Sequence, residues 1–149
     1  MYNYVCMVYN HFNDKDVPCA IKIGLTENYS RRFPEICREA ETKFSGISCA
    51  SLIPLFIMEG KYDRYVAERI EDELRMHYLD KVGYDRGFRK DWINIEGLAY
   101  EYGTSKEVED MERAMQRFCK VGTKIIYRNF SPEKTEKIYS SFYEKIKNL

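Results

Sequence analysis

Three short groups of residues carry side chains suited to chemistry, and they follow one another in a suggestive order. Tyr4-Val5-Cys6 comes first. Lys22-Ile23-Gly24 comes second, trailed by Thr26, Asn28 and Arg32. The third is AERIEDELRMHY, Ala67 to Tyr78, which carries Glu71 and leads into KDWINI, Lys90 to Ile95. A lysine serves as a general base when burial or a neighbouring cation lowers its pKa. An arginine offers a planar fork of donors to a phosphate, and a carboxylate offers hard oxygen to a divalent ion. Each string alone is weak, because such tripeptides recur by chance. Order and spacing carry the weight.

The elements that must position these residues can be read from periodicity. Residues 2 to 9 are aromatic and β-branched and predict a strand. His11 to Pro18 is polar and reads as a hairpin connection. Residues 19 to 25 predict a second strand, antiparallel to the first, ended by Gly24. A helix follows a short connection over Thr26 to Ser30 and runs to about Phe44, with Pro34 expected in its first turn. Residues 50 to 58 predict a third strand, in which Pro54 suits an edge or a bulge. From about Tyr62 to Asp80, Val66, Ile70, Leu74 and Tyr78 recur at spacing four and form one helical stripe. Gly83 to Lys90 is a charged loop, and Trp92, Ile93 and Ile95 make a short apolar run.

The last third reads as mainly helical. Thr104 with Glu107 forms a capping box, Gly122 is a stop, and Ser131-Pro132 starts a final helix. Residues 123 to 127 are a short extended candidate. The order β-β-α-β-α-β followed by helices predicts an α+β domain with a three-stranded antiparallel central sheet flanked by helices. Residues 1–96 form the core domain, and 97–149 a helical, basic extension packed on it.

At 149 residues the chain fits one domain, and 24 Lys+Arg balance 24 Asp+Glu. A binder working by bulk positive charge would read basic, so any phosphate binding must come from a local patch. The balance hides a segregation. Six acids face two bases from Glu96 to Gln116, whereas eight bases face three acids from Arg117 to Lys147. Lys120, Lys124 and Arg128 lie there among Phe118, Tyr127 and Phe130, a composition that can hold a phosphate backbone and stack on bases. The five cysteines are odd in number and lack CxxC spacing, so they read as reduced thiols rather than disulfides or a zinc site. The N-terminus has no signal-peptide pattern, and no apolar run approaches the ~20 residues of a membrane span. The expectation is a soluble, cytoplasmic protein with no membrane partner.

The three motif groups together resemble the GIY-YIG nuclease superfamily, over roughly residues 2 to 95. The likeness is closest to the phage and viral branch in which YIG reads KIG, here Lys22-Ile23-Gly24. The spacing from Gly24 past Thr26 and Asn28 to Arg32 fits that pattern. So do Ala67, Ile70, Glu71, Leu74 and Tyr78 on a helix and Asp91-Trp92-Ile93 after it. The resemblance implies a metal-dependent endonuclease hydrolysing DNA phosphodiester bonds. Glu71 would be the ligand of Mg²⁺ or Mn²⁺, Arg32 would lie against the phosphate, and the hairpin residues would orient or deprotonate water. Arg31, Arg32, Lys120, Lys124 and Arg128 would contact nucleic acid.

The chain departs from the family where the motif tyrosines should be. Cys6 holds the GIY tyrosine position and Lys22 the YIG one. Tyr4 is two residues from Cys6 on the same strand face and is a substitute candidate. The catalytic set is therefore Tyr4, Cys6, Lys22, Arg32 and Glu71. Plainer readings stand beside it: Lys22 as a solvent-facing strand residue, Arg32 as surface, and Glu71–Arg75 as a surface ion pair. The missing tyrosines also admit a GIY-YIG-fold module that binds nucleic acid without turnover. A protein-interaction domain, homodimeric through the helix around Met111 and Met115, is a third reading.

Overall fold

The computed structural model describes residues 1–12, 15–44, 46–60, 63–89, 91–96, 113 and 124–128, the last segment as backbone. The first two strands form a long antiparallel hairpin. β1 (Tyr2–Phe12) pairs with β2 (Lys15–Thr26) from Tyr2↔Thr26 to Phe12↔Lys15. The strands therefore extend well into the polar stretch expected to be a connection. Antiparallel β3 (Ala50–Glu59) lies on the other side of β1.

Both long pairings contain a bulge, and a proline sits at each. Val8 pairs with Ala20 but Tyr9 with Pro18, so Cys19 is the extra residue in β2. Val5 pairs with Phe56 but Cys6 with Pro54, so Leu55 is the extra residue in β3. Proline cannot donate to the ladder, and a bulge is where a sheet accommodates it. The Cys19 thiol donates to the Val8 carbonyl across its own bulge, at 3.2 Å. Each bulge puts two consecutive residues on one face. Cys19 and Ala20 share one apolar cluster, and Leu55 and Phe56 share the other.

The sheet is wider than the three strands expected. Its order is β4-β5-β2-β1-β3-β6, where β4 is Gly87–Phe88, β5 is Trp92–Asn94 and β6 is Lys124–Arg128. The three expected strands are its centre. The extended candidate at 123 to 127 is β6, paired antiparallel with β3, so part of the C-terminal third belongs to the sheet itself. The helices expected around Thr104–Gly122 and after Ser131 lie outside the described residues, as do Met111 and Met115.

One helix covers each face. α1 (Tyr29–Lys43) buries Tyr29, Phe33, Ile36, Cys37 and Ala40 against Tyr4, Cys6, Val8, Ala20, Leu52 and Trp92. Its N-cap is Asn28, whose side chain accepts from the Arg31 amide. Pro34 falls in the second turn rather than the first. The carbonyl it leaves unbonded belongs to Ser30, which is exposed, so water can serve it. α2 (Arg64–Val82) is capped by Asp63. It presses Ile70, Leu74 and Tyr78 onto Val5, Met7, Ile21, Ile23 and Phe56. With both faces covered, β1 is buried almost along its length. Among the described residues no helix is long and apolar enough to cross a membrane.

Asn3 is a buried polar residue that ties two layers together. Its side-chain amide donates to the Ala67 carbonyl at 2.9 Å, joining β1 to α2 one turn before Glu71. Asn3→Ala should lower unfolding stability by about 1–3 kcal/mol in urea titrations, through the lost bond and the space left behind.

Candidate active site

The site lies where β2 outruns its neighbour. β5 pairs with β2 only from Ala20 to Lys22, with Lys22 opposite Trp92. Beyond that, Gly24 and Leu25 have a strand partner on the β1 side only. A cavity of about 200 Å³ opens at this edge, lined by Tyr4, Lys22, Gly24, Leu25, Arg32, Arg64, Glu68, Glu71 and Asp91. Four residues singled out from sequence thus meet here from four elements: Tyr4 from β1, Lys22 from β2, Arg32 from α1 and Glu71 from α2.

Lys22 is only 2% exposed, which overturns its reading as a solvent-facing strand residue. Its ammonium is held by the Asp91 carboxylate at 3.3 Å and lies 4.9 Å from the centre of the Trp92 ring. Burial pushes its pKa below the usual lysine value, and the nearby Arg32 adds to the effect. Asp91 and Glu39 oppose it without cancelling it. Asp91 uses Oδ2 for this contact, while its Oδ1 is buried with no hydrogen-bond partner among the described residues.

Arg32 is held from behind. Glu39 takes both of its terminal nitrogens, at 2.7 and 3.4 Å, and Glu35 takes one at 3.3 Å. Burial works against its charge, but Glu39 and the Tyr4 hydroxyl outweigh it, so the guanidinium stays protonated. Tyr4 moves the opposite way to a base. Burial and the neighbouring Cys6 raise its pKa far above the usual phenol range, and Arg32 only partly offsets them. At neutral pH the Tyr4 phenol is a proton donor.

Gly24 is required by this packing. A Cβ built there would overlap the Tyr4 hydroxyl and lie 2.6 Å from the ring carbon bearing it. Tyr4 and Gly24 are cross-strand partners, so the phenol lies over glycine backbone. Phe33 holds the ring from the α1 side, edge-on, with centroids 5.3 Å apart.

Glu71 is 7% exposed at the cavity wall rather than on the solvent face of its helix. Glu68 and Asp91 join it there, so the wall offers hard oxygen donors, the kind Mg²⁺ prefers. Among the described residues no three acidic, His or Cys side chains cluster as a full coordination set. An ion held by Glu71 alone would keep most of its positions for water, a mode that suits Mg²⁺.

Cys6 is the exception among the expected residues. It is 0% exposed, packed in the apolar cluster beneath α1, and does not line the cavity. Burial and the neighbouring Cys37 hold its thiol well above the usual range. It is the cross-strand partner of Lys22, yet its short side chain does not line the opening. Lys124 and Arg128 lie on β6, separated from β2 by β3 and β1. Lys120 lies outside the described residues. Sequence reasoning missed Asp91 as the lysine's partner, Glu39 as the arginine's, and the whole contribution of Arg64 and Glu68. Glu39, about two turns after Arg32 on the same helix face, was visible in principle, whereas the Lys22–Asp91 contact depends on β5 pairing.

No family model matches the chain, and no curated protein or solved structure matches it either.

Gly24→Ala should displace the Tyr4 ring and cost about 1–3 kcal/mol through overpacking. In a Tyr4→Ala background, itself destabilised by the cavity it leaves, Gly24→Ala should cost much less. Thermal and urea unfolding of both single variants and the double variant measures this coupling.

Proposed function

We propose that the chain is a metal-dependent endonuclease of GIY-YIG type that hydrolyses DNA phosphodiester bonds. The observation that carries this is the convergence of Lys22, Arg32, Tyr4 and Glu71 on one cavity from four separate elements. In this reading the buried Lys22 amine, its pKa lowered chiefly by burial, takes a proton from the attacking water when it is in its neutral form. Arg32, kept rigid by Glu39, presents its guanidinium to the non-bridging oxygens as charge builds on the phosphorane. The protonated Tyr4 hydroxyl orients the water or the phosphate by donation. Glu71 would hold a divalent ion, which when bound supplies positive charge against the phosphate. Lys22 then stands in for the tyrosine of the second motif, and Tyr4 for that of the first, from a position two residues away on the same face.

Supercoiled plasmid incubated with the protein and Mg²⁺ or Mn²⁺ tests the reading. The wild type should nick, and Glu71→Gln and Arg32→Ala should each lose roughly 10²-fold or more. A wild type that never nicks with either ion overturns it. The amine must be neutral to act as base, so it is inactive below its pKa. That pKa is lowered from 10.5, so the nicking rate should climb with pH below 10.5 and level off before it. Lys22→Met should abolish both rate and climb.

The same shift has a stability consequence. Between the folded-state pKa and 10.5 the unfolded chain binds more protons at Lys22 than the folded one. Unfolding free energy therefore gains from Lys22 as pH rises through that window, and the gain is complete above the unfolded value. The difference between wild type and Lys22→Met, measured by urea unfolding across alkaline pH, should narrow in favour of the wild type as pH rises.

A further inference from the structure

A second cleft adjoins the cavity. It has a volume of about 390 Å³ and is bounded by Met1, Leu25, Thr26, Glu27, Arg31 and Glu35 together with Arg32 and Arg64. Arg32 and Arg64 line both spaces, so they form the ridge between them. We propose that this cleft is a second phosphate subsite, taking the backbone phosphate next to the one that is cut, and that the Glu35 carboxylate occupies it until nucleic acid displaces it. The inference rests on the nuclease reading and extends it to substrate placement.

The placement of the arginines is the first argument. Arg31 and Arg32 are in the first turn of α1 and Arg64 opens α2, and neither helix carries an acid in its first turn. Cations at that end oppose the helix dipole. Three of them, facing one pair of connected spaces, break a local rule in the same direction, as expected where function overrides stability. Their exposure is the second argument. Arg31 and Arg64 side chains are 72% and 74% exposed, in contrast to the 24% of Arg32. They are reachable by a polyanion without rearrangement of the core.

Glu35 supplies the third. One of its oxygens lies 3.8 Å from Arg31 and the other 3.3 Å from Arg32. A carboxylate bridging two guanidinium groups makes the contacts that two phosphate oxygens would make. Glu39 differs, because it grips Arg32 alone among the arginines and does not line the cleft. Glu39 is thus a positioning residue for Arg32, and Glu35 is a competitor for the ligand.

Binding in EDTA, where cleavage is suppressed, separates this from the nuclease reading. The probe is a fluorescein-labelled DNA duplex of about 20 base pairs, with affinity measured against salt. Arg31→Ala and Arg64→Ala should each weaken binding roughly fivefold to tenfold near 0.1 M salt and flatten the log–log slope by about one. Glu35→Gln should tighten binding, by a factor of the same order. Lys81→Ala, at the far end of α2, is the control and should leave the slope unchanged. Equal slope changes in Arg31→Ala, Arg64→Ala and Lys81→Ala mean general charge alone and overturn the subsite. A Glu35→Gln variant that binds no tighter overturns the competing carboxylate. If the wild type nicks plasmid but the arginine variants bind like it, the subsite fails and the nuclease stands. If the wild type neither nicks nor binds, both fail together.

Discussion

An ammonium group with almost no exposure has to be compensated, and the burial of Lys22 dictates much of what surrounds it. Removing a charge from water costs several kcal/mol unless it is paired or neutralised. Here both routes are used at once. Asp91 supplies a carboxylate at 3.3 Å, the Trp92 ring supplies a negative face, and burial shifts the amine toward its neutral form. Each requires β5 to lie beside β2 in one register. The short β5 strand, only three residues long, thus has a purpose beyond widening the sheet. It brings a counter-charge to the end of the ladder and then stops, leaving the edge open where the cavity begins.

The two helices complete the arrangement from opposite faces. α1 delivers Arg32 from the side where Tyr4 and Phe33 pack, and α2 delivers Glu71 from the side of Ile70 and Leu74. A guanidinium and a carboxylate carried on opposite faces can meet only at an edge. The β2 edge beyond Lys22 is such a place, because Gly24 contributes no side chain and the Tyr4 phenol lies across it. Arg32 and Glu39 form a charge pair behind the site, so the arginine enters already oriented rather than being ordered by its ligand.

The central fold was legible wherever periodicity was strong. The β1–β2 hairpin, the α2 stripe and the link of Pro54 to a bulge could all be read from residues, as could the extended segment near 124. The meeting of Tyr4, Lys22, Arg32 and Glu71 followed from motif order rather than from any single residue. What escaped was governed by tertiary pairing. Burial of Lys22 depends on Asp91 and Trp92, some 70 residues away. A lysine flanked by isoleucines otherwise looks like ordinary alternation. The Cys19 bulge was missed because Pro18 read as the end of a loop, although it lies inside a strand. Cys6 was promoted by its motif position, yet a short thiol at that point of a doubly covered sheet is fully buried beneath α1 and does not reach the cavity.

The Cys19 bulge has a consequence for how the hairpin assembles. It lies between the turn and the segment that carries Lys22 and Gly24, and it advances the strand by one residue. Side chains alternate along a strand, so zipping from the turn without that extra residue would exchange the two faces of everything beyond it. The Lys22 ammonium would then be driven into the layer of Ile70, Leu74 and Met7, away from Asp91 and the Trp92 ring. Ile21 and Ile23 would turn to the opposite layer. The misaligned hairpin would lose the Asp91 and Trp92 contacts that hold this charge, and the correctly aligned one keeps them. The same amine that the proposed chemistry uses therefore also discriminates against the wrong register of the strand that bears it.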